Sequence, residues 1–153
     1  MKILIDSREQ TPYNFRNYPD IEWSRGTLQT GDYALVGLEE LYACERKSLQ
    51  DLIQSISHDR TRFEKELARA KAFEGFWGIC ECSLQDIANG RYRSEMSQHA
   101  ALQSIASFTV RYGTPFLFCG DRKGGEQMVH ALLSKVLFNL EKRYQRIQKA
   151  QAE

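Results

Sequence analysis

Asp32 follows a glycine in "GDYAL", and further on Glu45 heads the triplet Glu45-Arg46-Lys47. Two runs that favour strands, Tyr33 to Val36 and Leu41 to Arg46, lie on either side of "GLEE", which reads as the turn of a β-hairpin. Closure about that turn pairs Val36 with Leu41, Leu35 with Tyr42, Ala34 with Ala43, Tyr33 with Cys44, and Asp32 with Glu45. Opposed residues of an antiparallel pair share a face, with Cβ atoms about 5 Å apart. Two carboxylates so placed repel unless something positive lies between them. Period-2 alternation brings Lys47 to the same face and turns Arg46 to the other. Lys47 alone could neutralise the pair. A divalent cation could do so too, because Mg²⁺ and Mn²⁺ favour oxygen donors, bind through one or two carboxylates and keep water. Asp6, at the end of the first strand, is placed as a third acid. Two acids, a lysine and such an ion are what phosphodiester hydrolysis needs: the ion polarises the phosphoryl oxygen and acidifies a water, and the lysine steadies the developing charge. A register slip of one residue would dismantle the constellation.

These residues need elements to hold them. "KILID", Lys2 to Asp6, reads as a first strand, and "SREQTPYNFRNYPD" as a loop. Ile21 to Leu28 is an extended piece. After the hairpin, Ser48 and Asp51 stand at capping-box spacing and open a helix to about Ser57. Phe63, Leu67 and Ala70 recur at helical spacing within a second helix from Arg60 to Phe73. "FWGICEC" reads as a strand, "LQDIANGRYRSEMS" as a loop with at most one helical turn, Gln98 to Tyr112 as a helix, and "PFLFC" as a strand buried on both faces. After the turn "GDRKGG" a long helix runs from about Glu126. Strands alternating with helices predict an α/β domain with a mixed central sheet whose central strands are parallel, flanked by helices.

The 153 residues suit one domain, residues 1–153, with a charged helical tail from about residue 141. Composition is 42% apolar and 27% charged, as in globular proteins and unlike disordered chains. No apolar run has the roughly 20 residues of a membrane span, and "MKILID" lacks the core of a signal peptide. The expected location is the cytoplasm, nucleoid-associated, or the host cytoplasm for a phage-encoded protein. Cys44, Cys80, Cys82 and Cys119 fall in strand-like stretches without zinc-site spacing and read as reduced core thiols. A net charge of +1 says nothing about nucleic acid, which needs only a local basic face.

"LIDSRE", "GDY" and "ERKSLQDLIQSI" together resemble the XPF-type structure-specific endonuclease domain, whose signature is G-D…E-R-K-x-x-x-D. The three blocks occur in the family's order, and the resemblance covers essentially the whole chain. It implies a restriction-endonuclease-like sheet flanked by helices, and Mg²⁺- or Mn²⁺-dependent cutting of DNA at branches or flaps. By the same resemblance Asp32 and Glu45 are metal ligands, the Arg46 carbonyl is a possible third, and Lys47 is the catalytic lysine. Asp6, Arg8 and Glu9 would line the cleft, the last two towards DNA. Asp51 matches the signature's last acid, although with Ser48 it reads equally as the helix cap, and Arg46 could be a structural ion-pairing residue. Family domains dimerise, which implies a homodimer through the last two helices. Within these residues neither a helix-hairpin-helix module nor a helicase is read, so a stand-alone domain is expected.

Further DNA contacts are expected from Arg60 and Arg62, at the start of a helix, and from Arg91 and Arg93, which flank Tyr92 in "GRYRS". A non-catalytic DNA-binding scaffold that activates a partner is the rival reading. A nucleotide site at "GDRKGG" is weaker still, because the G-x-x-x-x-G-K-[ST] pattern is absent. His58, His99 and His130 lack partners at ligand spacing.

Overall fold

The computed structural model describes residues 1–152; Glu153, the last residue of the expected tail, lies outside them. Six strands form one sheet: β1 (Lys2–Asp6), β2 (Glu22–Gly26), β3 (Tyr33–Leu35), β4 (Tyr42–Lys47), β5 (Gly75–Cys80) and β6 (Phe116–Phe118), in the order β2-β1-β3-β4-β5-β6. The hairpin forms in the expected register, with Tyr33 opposite Cys44 and Ala34 opposite Ala43. β1 is antiparallel to β3, while β1–β2, β4–β5 and β5–β6 are parallel. The sheet is mixed, as expected, but its centre is not parallel. The short "GLEE" connection forces β3 and β4 to run antiparallel, and the parallel pairs lie to either side.

Helices α1 (Leu49–Ile56), α2 (Arg60–Ala70), α3 (Leu84–Ala88) and α4 (Gln98–Tyr112) cover one face, and α5 (Arg122–Ala152) covers the other. Phe63, Leu67 and Ala70 form the buried stripe of α2, and with Leu52, Ile53 and Ile56 of α1 and Ile105 and Phe108 of α4 they fill the first core. Val129 and Leu133 of α5 meet Ile3, Ile5, Tyr33, Leu35, Cys44 and Ile79 in the second, joined by Tyr13 and Phe15 from the loop after β1. All four cysteines are free; Cys44 and Cys80 lie within strands, and Cys82 and Cys119 lie just beyond strand ends.

Ser48 caps α1 by accepting the Asp51 amide at 3.2 Å, while its hydroxyl donates to the Asp51 carboxylate at 2.7 Å. The reciprocal capping box forms instead at Ser83 and Asp86, opening the short α3 where a loop with at most one helical turn was expected. α5 also starts earlier than expected. Asp121 Oδ1 accepts the Gly124 amide at 2.7 Å, so the "GDRKGG" turn becomes a helix start. Glycine there permits close packing, because a Cβ on Gly125 would come within 2.2 Å of the Tyr13 hydroxyl.

Candidate active site

The hairpin strands meet at Gly31, whose φ of +86° lies in the left-handed region that glycine alone enters cheaply. A Cβ there would stand 2.9 Å from Ala43 Cβ and 3.2 Å from the Cys44 carbonyl. Asp32 follows, clamped by three bonds. Its amide donates to the Cys44 carbonyl at 2.8 Å, its carbonyl accepts from the Asp6 amide at 2.8 Å, and its Oδ2 accepts from the Arg46 amide at 2.7 Å. The β3–β4 ladder ends one step earlier, at Tyr33 and Cys44.

Asp32, Glu45 and Lys47 line one cleft of about 430 Å³ between the sheet and α2. Lys47 Nζ lies 2.7 Å from Glu45 Oε1 and 4.8 Å from the centre of the Phe63 ring. Burial pushes the Asp32 carboxyl up to about 7; Glu9 and Glu66 add to the rise, and the Arg46 amide and Lys47 oppose it. Burial and then the charge of Asp32 push Glu45 well above the usual carboxylate range. Burial alone would lower the Lys47 ammonium, but Glu45, Glu66 and Asp32 hold it above its ordinary value and keep it charged.

These carboxyls suit a hard divalent cation. Two acids that burial drives towards the neutral form become comfortable as anions beside a bound cation, and Mg²⁺ or Mn²⁺ needs few protein ligands. No three His, Cys, Asp or Glu side chains are grouped so as to hold a metal ion among the described residues; Asp32 and Glu45 are the pair of cleft carboxyls that could contribute two oxygens to one.

Asp6 lines the cleft, but its carboxylate already takes four donors: Arg8 Nε at 3.0 Å, Arg8 Nη2 at 2.6 Å, the Arg8 amide at 2.8 Å and the Leu28 amide at 3.3 Å. Burial would raise its carboxyl, yet the bonds to Arg8 keep it below the ordinary value. Asp6 therefore aims Arg8 into the cleft.

Arg46 points to the opposite face, as alternation requires. Its Nε and Nη2 bind Glu81 at 2.6 and 2.8 Å, and Nη1 lies 3.4 Å from Glu9. Tyr13 donates to the same Glu81 at 2.8 Å. Glu9 is thus engaged by Arg46. With Asp51 it borders a second recess of about 410 Å³, which Asp32, Glu45 and Lys47 also line.

The other basic residues divide. Arg62 lines the main cleft and is paired with Asp59 at 3.0 Å, its side chain 82% exposed. Arg60 instead ties α1 to α4 through the Ile56 carbonyl at 3.1 Å and Ser104 Oγ at 2.9 Å, lying over the Phe108 ring. Arg91 pairs with Asp86, and the Gln50 side-chain amide brackets the Arg93 backbone at 2.8 and 3.1 Å. These two border an open recess of about 710 Å³ that holds no acid and no part of the constellation. Two residues of the site escaped the reading of the sequence. The only signal in the sequence for Glu81 is that it is the one acid in the apolar "FWGICEC", and for Glu66 that it lies one turn beyond Arg62; Glu66 accepts the Gly31 amide at 3.3 Å.

The mixed six-stranded sheet with helices on both faces and a carboxylate–lysine cleft beside its central hairpin define an α/β domain. The chain belongs to the ERCC4 domain family, whose model matches residues 5–132. The structure resembles XPF from Aeropyrum pernix, with a TM-score of 0.72 and 21% identity over 95% of this chain and 69% of that one. It also resembles XPF from the same organism in complex with DNA, with a TM-score of 0.64 and 20% identity over 90% of this chain and 66% of that one. A search of curated proteins finds no match.

Proposed function

We propose that the chain is a metal-dependent DNA endonuclease that acts at branched or flapped structures. The observation that carries the reading is the pair of proton-favouring carboxyls, Asp32 and Glu45, beside a charged Lys47 in an open cleft. A structural neighbour, XPF from Aeropyrum pernix in complex with DNA, supports DNA as the polymer. Asp32 and Glu45 would hold Mg²⁺ or Mn²⁺, with the Arg46 carbonyl as a further oxygen. When bound, the ion polarises the phosphoryl oxygen and acidifies a water. Lys47, positioned by Glu45, donates to the attacking water or to the phosphoryl oxygen on which charge develops. Arg8, braced by Asp6, and Arg62 bind flanking phosphates. The proposed active form is a homodimer.

The test is incubation of purified protein with labelled flaps, forks, four-way junctions and single strands, with and without Mn²⁺. Mn²⁺-dependent cleavage is expected, and Asp32→Ala or Lys47→Ala should abolish it with the fold retained. Cleavage that survives both changes removes this site, and no cleavage of any DNA favours the scaffold reading.

A further inference from the structure

The wall of the cleft facing the acids carries a second feature. α2 presents Arg62, Lys65 and Arg69 to the cavity, at i, i+3 and i+7 and therefore along one side of the helix. Lys65 and Arg69 are exposed and enter no ion pair among the described residues, although their neighbours Arg62 and Glu64 do. Arg69 makes one bond, from Nε to Thr30 Oγ1 at 3.3 Å, which leans it over the loop before Asp32. Glu66, the acid within the row, is turned towards Gly31 and the cleft floor.

Lysines and arginines held along a helix without acidic partners are suited to a polyanion. From Arg62 to Arg69 the helix rises about 10 Å, which spans about three phosphates of one strand at roughly 3.4 Å each along the duplex axis. The acids of the floor lie across the cleft from this row. A strand whose scissile phosphate rests on the floor would therefore pass its neighbouring phosphates along α2. We propose that Lys65 and Arg69, together with Arg62, form a backbone-phosphate track on α2 that holds the strand to be cut. The proposal rests on the DNA reading above and adds which face of the domain carries the strand. Arg60 has no part in the track, because it is committed to Ile56, Ser104 and Phe108.

Fluorescence anisotropy with a labelled flap, in EDTA so that no cleavage intervenes, tests the track over 50–300 mM NaCl. Each of Lys65→Ala and Arg69→Ala should weaken binding several-fold at low salt and reduce the slope of log K against log salt by about 0.9. Arg111→Ala, on α4 and paired with Glu64 at 2.7 Å, should leave the slope unchanged, and thermal unfolding should show each variant folded. Unchanged slopes for Lys65→Ala and Arg69→Ala overturn the track. An equal loss in Arg111→Ala also overturns it, since binding would then be diffuse. Should Mn²⁺-dependent cutting persist while the slopes do not move, the track falls and the nuclease reading stands. Reduced slopes in a protein that cuts nothing keep the track and remove the catalytic reading.

Discussion

Asp32 is held as an acid where burial opposes its ionisation, and stability should report this. Its folded-state value of about 7 lies above the ordinary 3.8. As pH rises past about 4 the unfolded chain releases this proton while the folded chain keeps it, so stability is lost until the pH passes about 7. Asp32→Asn removes that penalty and still accepts the Arg46 amide. Urea unfolding should therefore show Asp32→Asn more stable than wild type at pH 8, by on the order of a few kcal/mol, with the difference vanishing towards pH 4. Mn²⁺ should stabilise the wild type at pH 8 and leave Asp32→Asn unmoved. A variant no more stable than wild type at pH 8 would show that Asp32 ionises freely. Gly31 is the second residue on which the site depends. Gly31→Ala must hold a Cβ at positive φ against Ala43 and Cys44, costing about 1–3 kcal/mol and displacing the Asp32 clamp. Cleavage should fall with it, a loss that urea unfolding and turnover on one preparation would pair.

Between elements, the main device is the ion pair from β4 to the end of β5. Arg46 and Glu81 are both largely buried, at 10% and 7% side-chain exposure, so removal of either partner strands a charge. Glu81→Ala should cost about 3–5 kcal/mol by urea unfolding, and the double variant with Arg46→Met should recover much of that loss. Absence of recovery would mean that the two side chains act separately. Arg122 of α5 joins this group, 3.6 Å from Glu81 and bonded to the Thr11 and Pro12 carbonyls at 2.7 Å. The far face of the sheet thus braces the strand that carries Glu45 and Lys47. The hairpin register was legible because a short connection leaves little freedom and alternation then assigns each face. The Arg46–Glu81 pair was not, since its partners lie 35 positions apart and only the parallel crossover joins them. β2 lacks alternation because it is an exposed edge, so it reads merely as extended. The start of α5 was hidden by glycines that look like a turn and serve close packing against Tyr13 and Cys119.

For the whole molecule, β6 leaves one edge of the sheet without a neighbour. α4 and α5, the helices proposed for the homodimer, lie on opposite faces of the sheet, so a surface that uses both must cross this edge. β6 suits that crossing: Phe116 and Phe118 pack towards the core under α4, and Leu117 packs towards α5. Apolar side chains stand exposed on both helices, Val110 at 84% and Phe138 at 50%, and an unpaired sheet edge and exposed apolar side chains each invite a partner. A second copy related by a two-fold axis would bury the same patch on each chain. Val110→Glu and Phe138→Glu should each convert the proposed dimer to monomer in sedimentation velocity at tens of micromolar. Thermal stability of the dissociated chain should stay within about 0.5 kcal/mol of the wild type at equal dilution, because neither side chain supports the monomer's core. Dissociation by one change alone would confine the interface to that helix and its face. A wild-type chain that sediments as a monomer would remove the homodimer and leave the cleft, which one chain lines from the end of β1, the residues just before β3, β4 and α2, as the functional unit.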